Sequence, residues 1–177
     1  MKKTYLLALV GVIIGLLCYK KWHWKYSISE NSLINGDNFR IVDGDSINLG
    51  RTRFRLYGID APELKQTCLD SNKKEWPCGI IAKNYLESLI KGKHVYYRVY
   101  DIDYYQRQVA EFFDENGESI NGKMVAEGMS VAYRKFSKKF KMIEEEAKRS
   151  KKGIWKGEFQ QPEKWRKSAK RERRRKK

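Results

Sequence analysis

Acidic residues are in short supply. The chain has 22 Asp and Glu against 38 Lys and Arg, a formal charge of +16. That deficit points to polyanionic partners, either nucleic acid or anionic lipid. Lys164 to Lys177 holds ten basic residues and one acid, +9, so the remainder still carries +7 (16 − 9). A basic run carries no sequence code, and a solvated tail and a polyanion contact both fit it. Histidine and cysteine are scarcer still, with two and three copies. His23 and His94 form no ligand spacing with Cys68 and Cys78, which argues against a zinc site. Those two cysteines bracket "CLDSNKKEWPC". In an exported protein they would close a small disulfide; in a cytosolic one they would be free thiols.

Long apolar runs are also missing, with one partial exception. Thr4 to Tyr19 is almost wholly apolar. It falls short of the ~20 residues that span a bilayer core. No small-residue cleavage site follows it. Lys20 and Lys21 can snorkel, and Trp22 and Trp24 suit an interfacial belt. The segment reads as an uncleaved membrane anchor, with a cleaved signal as the alternative. Basic residues flank both ends, so charge assigns no orientation. Cys18 follows Leu17, which is not the small residue a lipid attachment site needs. There are no internal repeats. The expected organisation is a membrane or signal segment (1–25), a polar linker (26–37), a folded domain (38–160) and a basic tail (161–177).

Within the folded part, turn chemistry separates short runs of strand formers. Strands are expected at Phe39–Val42, Ser46–Leu49, Arg53–Tyr57, His94–Tyr100 and Gln108–Phe113. Asp43-Gly44-Asp45, Gly50 and Asn116-Gly117 mark turns. Helices are expected at Gly79–Lys91, Ile120–Met129 and Ser137–Lys152. In the first, Ile81, Tyr85 and Leu89 share one face, with Leu86 and Ile90 beside them; in the third, Phe136, Phe140, Ile143 and Ala147 share one. Five strands and three helices in about 130 residues predict an α+β domain around a small curled sheet or barrel.

Charged residues gather where the strands end. Asp43 and Asp45 flank Gly44, and Asp60 and Glu63 follow the third strand in "FRLYGIDAPE". Acidic turn residues are common, so neither pair carries much alone. Arg55 alternates with Phe54 and Leu56 and so faces a groove or water. Spacing leaves both readings open.

Taken together and in order, "VDGDSINL", "FRLYGIDAPE", "DYYQRQVAEFF", "INGKMVAEGMSVAY" and "KKGIW" resemble the staphylococcal nuclease (thermonuclease) family over roughly Phe39 to Trp155. The resemblance implies a five-stranded OB-type β-barrel with about three helices. It implies a Ca²⁺-dependent phosphodiesterase acting on DNA and RNA. By position, Asp45 and Asp60 would be the metal carboxylates, joined by the backbone carbonyl of Ala61. Glu63 would handle the attacking water, and Arg55 and Arg107 would clamp the scissile phosphate. Tyr105 and Tyr133 would contact substrate, and Asp43 would orient a metal-bound water from behind. A hard, all-oxygen site suits Ca²⁺ or Mg²⁺. Its few protein carboxylates fit weak binding, adequate where calcium is near millimolar, and hence an exported, membrane-anchored or secreted monomer. A non-catalytic nucleic-acid-binding OB module is the competing reading.

The sequence departs from the family pattern at one point. Gln106 stands where the family has glycine, in Tyr105-Gln106-Arg107. Glycine tolerates backbone angles that glutamine disfavours, so the turn that carries Arg107 is expected to differ.

Overall fold

Apolar and polar residues alternate through residues 39–56, and the alternation gives a sheet with one buried face. The computed structural model describes residues 33–175. These lie in a compact unit running from Asn31 to Lys177. The strands are β1 (Ile34–Asn35), β2 (Phe39–Ile41), β3 (Ser46–Leu49), β4 (Thr52–Leu56), β5 (Ile59–Asp60), β6 (Cys68–Leu69), β7 (Glu75–Trp76), β8 (His94–Ile102), β9 (Gln108–Asp114) and β10 (Val131–Ala132). The helices are α1 (Cys78–Ile90), α2 (Ile120–Ala126), α3 (Lys141–Arg149) and α4 (Pro162–Arg175).

The main sheet has six strands in the order β1-β8-β9-β4-β3-β2. Its two outermost strands are consecutive in the chain, joined by the 3-10 turn Gly36–Asn38. The sheet therefore curls back on itself as a nearly closed barrel. Most pairs are antiparallel, but β4 runs parallel to β9. Two small sheets, β10-β5 and β6-β7, sit beside the main one.

Inside the curl, Phe39, Ile41, Ile47, Phe54, Leu56, Val95 and Phe112 pack against Leu86 and Ile90 of α1 and Met124 of α2. The rings of Phe39 and Phe54 meet Phe112 edge-on, with centroids 5.6 and 5.4 Å away. Each fully buried phenylalanine contributes roughly 1.5–3 kcal/mol. A second, smaller cluster joins Val131 and Ile154 to Trp76, Trp155 and Phe159 around the Cys68–Cys78 pair.

The five expected strands and three expected helices are present, with several corrections. The barrel gains a sixth strand, β1, whose two residues are too few to show a pattern. A fourth helix, α4, occupies the stretch expected to be a basic tail. Along α1 the buried row is Ala82, Leu86 and Ile90, while Ile81 is exposed. The core stripe is thus rotated by one residue from the predicted one. Phe136 is exposed too, because the third helix begins only at Lys141. The expected membrane segment, residues 4–19, lies outside the described residues. Among the described residues no helix is long and apolar enough to cross a membrane.

Candidate active site

The β3–β4 hairpin sets Ser46 opposite Arg55. Asp45, one residue before β3, thereby comes within reach of the Arg55 side chain. The Asp43-Gly44-Asp45 turn is locked locally: Asp43 Oδ1 accepts the Asp45 N–H at 3.0 Å. Gly44 is required by close approach, since a Cβ there would lie 2.7 Å from Ala61 Cβ. After β4 the chain reverses through Gly58, whose φ of +72° suits glycine. That reversal returns Asp60 on β5 to Arg55, only five residues after it.

Arg55 bridges the two acids. Its Nη1 donates to Asp45 Oδ1 and its Nη2 donates to Asp60 Oδ1 at 2.6 Å. Asp45 Oδ2 accepts the Ala61 N–H at 2.7 Å. Asp45, Asp60 and Ala61 are all buried. The arginine is therefore not a solvated strand residue. Burial and the lack of water push the Asp45 carboxyl up to about 7. Arg55 pulls against that shift, while the charges of Asp43 and Asp60 add to it. Burial also works against the charge of Arg55, but Asp45 and Asp60 outweigh it and hold the guanidinium ionised. The result is a dense acid cluster whose buried carboxylates Asp45 and Asp60 are bridged by Arg55.

Glu63 follows Pro62 on the loop leaving β5 and is half-buried. Its backbone is held by Gln66, whose Oε1 accepts the Glu63 N–H at 3.3 Å. The Gln66 N–H in turn donates to the Glu63 carbonyl at 2.7 Å. Gln66 is itself buried, and the Cys68–Cys78 disulfide closes the same loop with its Cα atoms 5.7 Å apart.

The β8–β9 hairpin carries the remaining predicted residues. Arg55 is level with Val109 on β9. Arg107, two residues before Val109, thus falls on the same face of the sheet as Arg55. Its guanidinium is bound to Asp103 rather than to the acid cluster: Nε donates to Asp103 Oδ2 at 2.7 Å. Gln106 has φ of +60°, the angle a glycine would adopt. The turn is held by Asp103, whose Oδ1 accepts the N–H groups of both Tyr105 and Arg107 at 2.9 Å. Tyr105 is exposed, its ring 5.6 Å from the Arg107 guanidinium carbon. Tyr133 follows β10 and lies beside Phe136 with ring centroids 5.0 Å apart.

One participant was not predicted. Arg166 of α4 donates from Nη1 to Asp60 Oδ1 at 2.9 Å and to Glu63 Oε1 at 2.8 Å. Its Nη2 donates to Asp60 Oδ2 at 3.0 Å. No spacing signal could have singled it out, because it is one of ten basic residues in a patternless run.

Among the described residues no group of three or more His, Cys, Asp or Glu side chains is gathered as a metal cage. Asp45, Asp60 and the Ala61 carbonyl nonetheless offer hard oxygens, the donor set that suits Ca²⁺ or Mg²⁺.

The fold and site define a curled-sheet α+β domain with a carboxylate–arginine cluster on one face. The staphylococcal nuclease homologue family matches residues 53–157, and the chain belongs to it. It is 32% identical over 152 residues to the micrococcal nuclease of Shigella flexneri, a match covering 76% of this chain and 82% of that one. It is 29% identical over 128 residues to an uncharacterized endonuclease of Escherichia coli O157:H7, covering 69% and 77%. A probable staphylococcal-like nuclease, CAN3, of Oryza sativa subsp. japonica is 34% identical over 125 residues. That stretch is 69% of this chain but only 30% of the rice protein.

Proposed function

We propose that this chain is a Ca²⁺-dependent nuclease that hydrolyses phosphodiester bonds of DNA and RNA. The observation that carries the reading is the convergence of Asp45, Arg55, Asp60 and Ala61, which the β3–β4 hairpin and the turn after it bring into direct hydrogen-bond contact, in a chain of a nuclease family.

A phosphodiester is an anion, and attack by water places more charge on its equatorial oxygens. Groups that meet that charge stabilise the transition state more than the ground state. Arg55 and Arg107 carry the planar, permanently charged forks that would clamp the scissile phosphate. Glu63 orients the attacking water and accepts its proton. Asp45, Asp60 and the Ala61 carbonyl would hold the cation. When bound, the cation would neutralise phosphate charge and make water a better nucleophile. Tyr105 and Tyr133 supply rings for nucleobases or hydroxyls for phosphate. The disulfide supports an exported domain, either anchored through residues 4–19 or secreted.

The test is direct. Purified protein is expected to degrade DNA and RNA with Ca²⁺ and to stop when a chelator is added. A persistent gel shift without cleavage would instead identify a binding module. Glu63→Gln is expected to slow hydrolysis by about a hundredfold or more while the affinity for substrate holds. Equal losses of rate and affinity would count against its role.

A further inference from the structure

α4 reaches the acid cluster from the far end of the chain. Both oxygens of Asp60 and one of Glu63 accept from the Arg166 guanidinium at 2.8–3.0 Å. The helix is held there by two further ties. Gln66 Nε2 donates to the Gln160 carbonyl at 2.6 Å, just before α4 begins. Glu163 on the first turn accepts from Lys135 at 2.7 Å and from Lys167 at 2.8 Å. Gln66 thus fastens both the Glu63 loop and the entry to α4.

We propose that α4 is an intrachain gate on the active site, with Arg166 competing against the divalent cation for Asp60 and occupying the carboxylate of Glu63. The inference rests on the nuclease reading above. A guanidinium and a hard dication seek the same carboxylate oxygens. Asp60 has both oxygens committed to Arg166, and Oδ1 is shared with Arg55 as well. A cation that takes Asp60 must displace part of that fork. The closed arrangement therefore lowers the apparent cation affinity by the fraction of time the gate is open. The rest of α4 offers a handle for opening it. Lys164, Lys167, Lys170, Arg171, Arg173, Arg174 and Arg175 are all exposed. A nucleic acid that binds these residues better with the helix displaced shifts the population toward the open site.

Calorimetric titration of Ca²⁺ into the full-length chain, without nucleic acid, tests the gate. Arg166→Gln is expected to bind Ca²⁺ about tenfold more tightly than the wild type, since it removes several charge-assisted hydrogen bonds. Arg166→Lys keeps the charge but loses the fork, and is expected to gain about threefold. Glu163→Gln loosens the helix without touching the acids, and is expected to shift the same way by less. Tighter binding confined to Arg166→Gln, with Arg166→Lys at the wild-type value, would reduce the effect to bulk charge and overturn the gate. Unchanged or weaker binding in all three variants would overturn it as well. Absence of Ca²⁺ binding in every protein, wild type included, would overturn the metal reading and the gate together. Thermal melts of each variant identify any that fails to fold, and Glu163→Gln then carries the test.

Discussion

On the acid side of the site, the Asp45 and Asp60 side chains are 3% and 2% exposed and the Arg55 side chain 16%. On the hairpin side, Arg107 is 27% exposed and Tyr105 is 65% exposed. Both sides present an arginine paired with aspartate, yet the pairs differ in kind. Arg55 is wedged between two buried carboxylates that have no access to water. Arg107 is paired at the surface with an aspartate that also caps its own turn. The first arginine is part of the fold; the second is displayed by it. Breaking a buried pair leaves an uncompensated charge, whereas breaking an exposed one leaves a hydrated one.

The largest effect is expected at Arg55. Arg55→Gln should lower unfolding stability by about 3 kcal/mol and cut hydrolysis by at least about a hundredfold. Urea denaturation and a nuclease assay on the same preparation measure both. Arg107→Gln should lose about a hundredfold in rate while its urea midpoint stays within about 1 kcal/mol of the wild type. Equal destabilisation by the two variants would erase the distinction between the sides.

A third test sharpens the hairpin side. Burial works against the Asp103 carboxylate, but the N–H and guanidinium of Arg107 and the N–H of Tyr105 outweigh it and hold its pKa below the usual 3.8. A folded pKa below the unfolded one means that the contribution to stability is complete above about pH 4 to 5 and is lost as pH falls through the folded value. Asp103→Asn should therefore be less stable than the wild type at about pH 6, and the gap should close toward about pH 3. A gap independent of pH would show that the charge contributes nothing. The smallest effect is expected at Gln106. Gln106→Gly relieves a positive φ but frees the unfolded chain, so stability should change by less than about 1 kcal/mol. Activity should be retained, because Asp103 already fixes the turn.

Most of the acid side was legible in the sequence. Asp45, Arg55, Asp60 and Ala61 sit in the motifs that carry the family resemblance, whereas alternation alone left Arg55 open between a groove and water until the hairpin register placed it beside Asp45. The shape of the Gln106 turn was not legible, since the residue that holds it, Asp103, is ordinary loop chemistry until its hydrogen bonds are seen. Arg166 was not legible either. It lies 103 residues from Glu63, and a run of like charges does not say which member finds a partner. Strands β5, β6, β7 and β10 have two residues each, too few for periodicity. The core row of α1 was misplaced by one position because Ala82 is a weak hydrophobic signal, although it is fully buried.

The parallel pairing of β4 with β9 joins residues roughly fifty positions apart in the chain. Such a contact must wait for a large loop to close, so it belongs late in folding. The β3–β4 hairpin can bring Asp45 to Arg55 early, but Arg107 arrives only when β9 docks. Assembly of the whole site is expected to wait on these long-range pairings, that of Asp60 with Val131 included.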